Sequence, residues 1–447
     1  MAHAYVGFES RASEWWVSKR RNTAGVLTAL LFAGLCVDYG GAIGLKYLAI
    51  LLAVAWTMLR RSSAAILRRR WIDFVILIGL PAALAVFHLF RALLFDADFE
   101  AVTYLKRFYN TISTPALLLL FPLFYFAGTK ATMRQVSIAF RVVSIFLILL
   151  FVLHASGMIN LGDYSDLALK YQFGALGLDS RLPGSELAQR GQYSLRVAFS
   201  MPLIFGYEIA TSVMGAVLVF IGFLIVGSRG LVLGALLVAA LWFLRKEGLR
   251  RAAAWRVFVA VALATSLLLL SAPLRFRLTE VFLHRSAGIL GGSDYTTLIR
   301  LGHLQGYYSL VATAPWKLFL GDGPTGHITN LVWQAILGYG DVSATEFSVL
   351  NIALYYGLPY AVLFVVWLFR AAWRLWRLRY HPDFTQADMG LLIGVAVFWI
   401  TGNINPQMTA PFSIIAFMLL IVRHDELSMG EHAVGPRQAV KENANQA

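Results

Sequence analysis

Cysteine and charged residues are scarce in this chain. One cysteine, Cys36, occurs among 447 residues, so no intramolecular disulfide, thiolate cluster or cysteine-based zinc site can form. Charged residues make up 14% of the chain and hydrophobic residues 59%, whereas soluble proteins average roughly 25% and about 45–50%. This composition excludes a soluble enzyme, a disordered chain and a nucleic-acid-binding module. It predicts an all-α, polytopic integral membrane helical bundle, with residues 1–447 forming a single membrane domain.

Apolar runs are frequent enough to cross a membrane many times. A membrane-spanning helix needs about 20 mostly apolar residues. We predict about 12 transmembrane helices, of which the short ones at 24–37, 197–211, 213–227 and 389–402 could instead be half-spanning or re-entrant. The other predicted spans lie near 42–59, 72–94, 108–127, 136–155, 230–244, 257–272, 347–369 and 407–422.

The basic residues predict how these spans are oriented. The formal net charge is +14, and most of the Lys and Arg residues fall on alternate connections between spans. Because cytoplasmic loops carry an excess of Lys and Arg, we place these connections and both termini in the cytoplasm, including a mobile tail at 424–447. Two long segments, at 156–196 and at 273–346, then lie on the opposite face. The second of them is the large loop region between the ninth and tenth helices.

Three arginines lie on that opposite face, where orientation does not require a positive charge. They are Arg196, Arg229 and Arg300. Arginine suits phosphate because its planar fork donates two parallel charge-assisted hydrogen bonds. Each arginine could instead pair with a local carboxylate or with a lipid head group. As a set, they predict a site for an anionic group at this face of the membrane.

A general base could come from Glu346, at the predicted start of the tenth span, or from His303 or His327 in the large loop. Glu346 could also serve only to complement the helix dipole, and either histidine could be structural. Glu208 lies at membrane depth and is a candidate for an internal ion pair. The Gly-Pro cluster at 321–326 could form a phosphate nest, although a loop is the simpler interpretation.

In their order along the chain, several of these residues resemble a known family. Arg196 opens a short span and is followed by Phe199-Ser200-Met201-Pro202, and a later apolar span ends in Ser228-Arg229-Gly230. Arg300 precedes a Pro-x-x-x-x-x-Gly-x-Gly stretch at 315–323, and Glu346 precedes Gly357-Leu358. This pattern, over about 190–365, resembles the bacterial O-antigen polymerase and O-antigen ligase superfamily, the Wzy-type and WaaL-type membrane glycosyltransferases.

The resemblance implies a multi-pass protein of the bacterial inner membrane that works at the periplasmic face without metal or cofactor. Its implied partners are an undecaprenyl-diphosphate-linked oligosaccharide, membrane lipids and a chain-length regulator protein. The catalytic residues would be Glu346, Arg300, Arg229 and Arg196, and the substrate-binding residues the same three arginines with His327 and His303.

One departure from the family concerns the base. Many members, ligases especially, have a His-Asn pair where this chain has Glu346-Phe347. This difference favours a polymerase for O-antigen or exopolysaccharide over a ligase. A protein of another class, a transporter or flippase for lipid-linked sugars, would have a similar number of spans and also carry charges at membrane depth.

Overall fold

The computed structural model describes residues 23–35, 45–95, 115–155, 201–226, 295–337, 347–402 and 413–428, with scattered short pieces between them. Over these residues the protein is mostly helical, as its composition predicts. The predicted spans at 230–244 and 257–272 lie almost entirely outside the described residues.

The described residues of the N-terminal half form eight helices. Their order is α1 (Thr23–Leu35), α2 (Leu45–Met58), α3 (Arg61–Arg69), α4 (Trp71–Phe95), α5 (Phe121–Ala127), α6 (Thr129–Ala155), α7 (Met201–Thr211) and α8 (Val213–Val226). A 3-10 turn, Pro115–Leu120, precedes α5. A short antiparallel ribbon pairs β1 (Gly177–Leu178) with β2 (Tyr193–Ser194).

In the C-terminal half, the part of the chain that the structure describes contains seven helices and a second ribbon. The helices are α9 (Tyr295–Thr313), α10 (Lys317–Leu320), α11 (Leu331–Leu337), α12 (Ser348–Tyr356), α13 (Leu358–Arg377), α14 (Gln386–Gly402) and α15 at 413–428. The ribbon pairs β3 (Ile328–Thr329) with β4 (Asp341–Val342), antiparallel.

Two helices of the described chain, α4 and α13, are long and apolar enough to cross a membrane. The count rises to four if each of two bent helix pairs is one span. The structure is therefore a helical fold with two to four candidate spans, which is compatible with a membrane protein. The prediction at 72–94 agrees closely with α4, because nothing interrupts that apolar run. The total of about 12 stays a prediction.

One glycine turns the chain between two predicted spans, 108–127 and 136–155, and another breaks the predicted span 347–369. The chain turns by 109° between the helical segment ending at Ala127 and α6, and Gly128 between them has φ 78°. The predicted span 347–369 is two helices, α12 and α13, separated at Gly357 with φ 84°. These left-handed conformations favour glycine and end a helix. In addition, α15 continues through 428, so residues 424–428 are helix, although we predicted a tail from 424.

Small residues bring α7 and α14 into close contact. A Cβ atom on Gly206 would overlap the carbonyl oxygen of Gly390, and a Cβ atom on Gly390 would overlap the carbonyl oxygen of Gly206. Ala210 and Gly394 lie next along the same contact. Stripes of small residues allow helix backbones to approach each other, which is a common way to pack helices in membranes.

Buried ion pairs hold one end of the bundle together. The Arg423 guanidinium donates to both carboxylate oxygens of Asp388, at 2.7 and 2.8 Å, and also to Glu426 at 3.1 Å. Nearby, Arg70 and Tyr125 both donate to Asp425. All these residues belong to segments that the basic clusters assign to one side of the membrane.

Another buried ion pair lies between α6 and α7. Glu208 on α7 is fully buried and accepts hydrogen bonds from Arg141 on α6, at 2.6 and 3.2 Å, and from Ser137. Gly215 on α8 leaves space for this carboxylate, since a Cβ atom there would overlap it. The prediction that Glu208 belongs to an internal ion pair is confirmed, and its partner is Arg141.

The α7–α14 contact can be tested with a single methyl group. Gly206→Ala should destabilise the protein by about 1–3 kcal/mol, because the new Cβ atom forces two backbones apart. The measurement is the thermal unfolding midpoint of the purified protein in detergent. Gly25→Ala on α1 is the matched control, since its Cβ atom would meet nothing within 4 Å. Equal midpoints for the two variants would contradict the proposed packing.

Candidate functional site

A tight turn at 321–323 is locked against α12. Gly321 has φ 75° and Gly323 has φ 85°, and a Cβ atom on Gly321 would lie 2.5 Å from the backbone of Tyr355. The Asp322 N–H donates to the Leu354 carbonyl at 2.6 Å. On the other side of this contact, a Cβ atom on Gly357 would overlap the Phe319 carbonyl oxygen. Two separate parts of the pattern that resembles the family therefore lie against each other.

This turn is a loop, not a phosphate nest. Four of its backbone N–H groups already have carbonyl acceptors. The Gly321 N–H donates to Lys317, and the Asp322 N–H donates to Leu354. The Gly323 N–H donates to Tyr355, and the Gly326 N–H donates to Gly323. A nest needs N–H groups that point at the anion. The simpler of the two predicted interpretations is correct.

The carboxylate of Asp322 holds two cations. Its Oδ1 atom lies 2.9 Å from Lys317 Nζ and 3.2 Å from Arg91 Nη2, which comes from the end of α4. The Arg91 guanidinium also lies over the Trp316 ring, 4.6 Å from its centroid. Sequence reasoning missed this cluster. The available signal was Arg91, a charge close to the end of a predicted span.

A cleft lies between α9 and the β3 strand. Glycines on α9 allow this approach, because Cβ atoms on Gly302 and Gly306 would overlap the Asn330 side chain and the Thr329 carbonyl oxygen. The Asn330 amide donates to the Ile299 carbonyl at 2.9 Å, and its oxygen accepts from the Val332 N–H at 3.0 Å. Asn330 therefore joins the two elements and caps α11.

The cleft has a volume of about 300 Å³ and a mixed lining, in which polar side chains alternate with the apolar side chains of Leu310, Ile328 and Leu331. Its polar side chains are Gln305, Ser309, Thr313, His327 and Thr329. Amide, hydroxyl and imidazole groups both donate and accept hydrogen bonds, and none of the cleft-lining residues is acidic, Lys or Arg. Such a lining suits a ligand rich in hydroxyl groups, and His327, which is exposed, could reach a proton on it.

Arg300 and His327 lie on different sides of α9. At 3.6 residues per turn, Arg300 is about half a turn around the helix from Gly302 and Gly306, which face the cleft. Arg300 shares its side with His303, three residues later, and with Tyr307, which packs against the hydrophobic core. The structure therefore brings Arg300 and His303 together and places Arg300 away from the side of α9 that faces the cleft and His327.

His303 is completely buried. Burial, and then the positive charge of Arg300, lower its pKa from 6.5 to about 4. It is therefore neutral and a weak base at neutral pH, whereas an effective general base has a pKa near the working pH. Of the two histidines, His327 has the better access to a ligand.

Three of the predicted site residues, Arg196, Arg229 and Glu346, lie outside the described residues, so their roles stay predictions. The described part of α12 begins at Ser348, with Phe347 as its N-cap residue. In the described ranges, no three His, Cys, Asp or Glu side chains come together to hold a metal ion.

Comparison of the sequence with protein families and with curated proteins identified no relative. No model of a protein family matches the chain, and no curated protein matches it significantly.

The environment of His303 predicts a pH dependence of stability. Its folded-state pKa of about 4 lies below the unfolded value of 6.5, so the unfolded chain binds the proton first as the pH falls. The wild-type protein should lose up to about 3 kcal/mol of stability from this group between pH 6.5 and pH 4. In His303→Gln this contribution should be absent.

Thermal unfolding midpoints of both proteins across this pH range give the measurement. A comparison above pH 6.5 isolates any packing cost of the glutamine, because the histidine is neutral there in both states. The same decline in both proteins below that pH would contradict the assignment.

Proposed function

We propose that this protein is a membrane glycosyltransferase that acts on glycans linked to a lipid diphosphate, and that it polymerises a polysaccharide. A hydroxyl of the acceptor glycan attacks the anomeric carbon of the donor. The bond from that carbon to the diphosphate oxygen breaks, and the lipid diphosphate leaves. A base takes the acceptor proton, and cationic side chains stabilise the charge on the leaving group. Arg300, with Arg196 and Arg229, is assigned to the leaving group, and Glu346 or His327 to the base.

The observation that carries this proposal is the cleft beside α9. Sugars are recognised through their hydroxyl groups, which need neighbouring groups that can both donate and accept. Five side chains of this kind line a space of about 300 Å³, which lies within the range of small-ligand sites. No Lys or Arg lines the cleft to pair with an anion, and the lining also includes the apolar side chains of Leu310, Ile328 and Leu331. The same helix carries Arg300, so a neutral site and a cationic residue lie on one rigid element.

A second line of support comes from the contact between 321–323 and α12. The resemblance to O-antigen polymerases and ligases depends on residues that are distant in sequence, and here two of those stretches pack together. Random similarity of short motifs gives no reason for such a contact. The remaining parts of the proposal follow the resemblance: about 12 spans, cytoplasmic termini, a site at the periplasmic face, undecaprenyl diphosphate as the lipid, and a chain-length regulator as a partner.

A transporter of lipid-linked glycans is the second candidate, and one observation favours it. The Glu208–Arg141 pair lies near the middle of α6, and ionisable residues at such depth often mark transport pathways. Against this, Glu208 already accepts three hydrogen bonds in a dry site, which suits a structural role. The glycans that accumulate in cells lacking the protein distinguish these classes. Single lipid-linked units on the outer side of the membrane indicate a polymerase, and complete lipid-linked polymer indicates a ligase. Single units that stay on the cytoplasmic side indicate a transporter.

Gln305→Leu tests the cleft, because it keeps the side-chain size and removes the amide. Cells whose only copy of the protein carries this variant should make shorter polymer and accumulate single lipid-linked units. We expect about a tenfold loss of transfer rate, since a lost hydrogen bond to a substrate is worth about 1–1.5 kcal/mol. The measurement is the length distribution of the glycans by gel and mass spectrometry.

Gln334→Leu is the matched control for this experiment. Gln334 is an exposed glutamine on α11 that does not line the cleft. It should give glycans of normal length. If the two variants give the same distribution, the cleft does not bind the glycan.

The base can be identified by comparing Glu346→Gln with His327→Gln. Loss of a general base lowers the rate by about 100-fold or more, while a residue that only contacts the glycan has a smaller effect. We expect the large loss for Glu346→Gln, with normal membrane insertion of the variant. Wild-type polymer from Glu346→Gln together with a large loss from His327→Gln would transfer the assignment to His327.

A further inference from the structure

The cationic cluster at the end of α4 has more positive than negative charge. Lys317 and Arg91 share the Asp322 Oδ1 atom, and in this group of three the net charge is +1. The three side chains are largely buried: the exposed fraction is 18% for Lys317, 31% for Arg91 and 11% for Asp322. Two cations that share one acceptor atom can each donate further hydrogen bonds.

One donor in the cluster has no acceptor. The Nε atom of Arg91 is buried and makes no hydrogen bond. A buried charged donor without a partner leaves part of the guanidinium charge uncompensated inside the protein. The acceptor that pairs with this guanidinium, Asp322, is fixed in position. Its backbone N–H donates to Leu354, and its flanking glycines pack against α12 and His88.

The surroundings of the cluster are apolar and exposed. On α4, Phe87, Phe90 and Leu94 have 47%, 61% and 74% of their surface exposed, and they share a side of the helix with Arg91. Trp316, beneath the Arg91 guanidinium, is 39% exposed. Since α4 is long and apolar enough to span a membrane, Arg91 near its end would lie at the depth of lipid head groups, together with Trp316 and Lys317, which pack against it from the α10 segment.

We propose that Arg91 and Lys317 bind the phosphate head group of a membrane lipid whose hydrocarbon chain lies along Phe87, Phe90 and Leu94. The phosphate accepts hydrogen bonds from Arg91 and Lys317 and neutralises the excess charge, while Asp322 holds the two cations at a fixed separation. The apolar stripe selects a lipid phosphate over a free one. This site does not depend on glycosyl transfer, and it involves none of the residues assigned to the reaction.

The test uses the purified full-length protein in a neutral detergent, with dioleoyl phosphatidate as the probe and bound lipid counted by native mass spectrometry. Phosphatidate should bind, whereas dioleoylglycerol, which lacks the phosphate, should not. Arg91→Gln/Lys317→Gln should bind phosphatidate at least about tenfold more weakly, because each basic residue near an anionic lipid contributes about 1 kcal/mol. Lys317→Gln alone, a change on the short helix α10, should show a smaller loss.

Arg379→Gln is the matched control, since Arg379 also lies over an aromatic ring, 4.3 Å from the Tyr380 centroid, but belongs to another part of the fold. It should bind phosphatidate like the wild type. Equal binding by wild type, Lys317→Gln and the double variant would overturn the proposal, as would binding of dioleoylglycerol. If inorganic phosphate displaces phosphatidate at equal concentration, the site takes a free anion and the lipid assignment is wrong. If the double variant does not fold, the comparison of Lys317→Gln with Arg379→Gln decides.

Discussion

The contact between the turn at 321–323 and α12 is the constraint on which the rest of this end of the molecule depends. It requires glycine on both sides, at Gly321 and at Gly357, because the two backbones approach too closely for any Cβ atom. The same contact fixes Asp322, and Asp322 in turn binds Arg91 at the end of α4. One backbone interaction therefore couples a candidate membrane span, the segment after α9 and the helix that follows Glu346 in the sequence.

Hydropathy could predict the position of helices but not their bends. The span predicted at 72–94 corresponds to α4 (Trp71–Phe95), because a predominantly apolar run of this length forms a helix in a membrane and its few charged residues do not break it. The span predicted at 347–369 contains Gly357, and a glycine in an apolar run is compatible with a continuous helix as well as with a break. Gly357 has a positive φ, and Phe319, from a distant part of the chain, packs against it so closely that a Cβ atom would not fit. Local sequence carries no information about such a contact.

The sequence indicated which residue types matter in the candidate site, but gave much less information about which of them lie close together. Glu208 could be recognised as half of an ion pair, but its partner Arg141 lies on another helix, and only packing brings them together. The separation of Arg300 from the cleft could have been read from the sequence, because Gly302 and Gly306 follow a helical spacing that places Arg300 on the opposite side. The Arg91–Asp322 pair, in contrast, joins residues on segments with no sequence relation.

The two sides of α9 limit how a substrate can lie. A helix about 10 Å wide separates Arg300 from the neutral cleft, so one sugar ring cannot contact both. If Arg300 stabilises the leaving diphosphate, the cleft holds a sugar other than the one that carries the diphosphate, and His327 can act as the base only if that sugar belongs to the acceptor. Contacts remote from the reacting bond still contribute to catalysis, because their binding energy holds the reactive groups in position. The cleft, about 300 Å³ in volume, is therefore suited to a short stretch of a longer glycan.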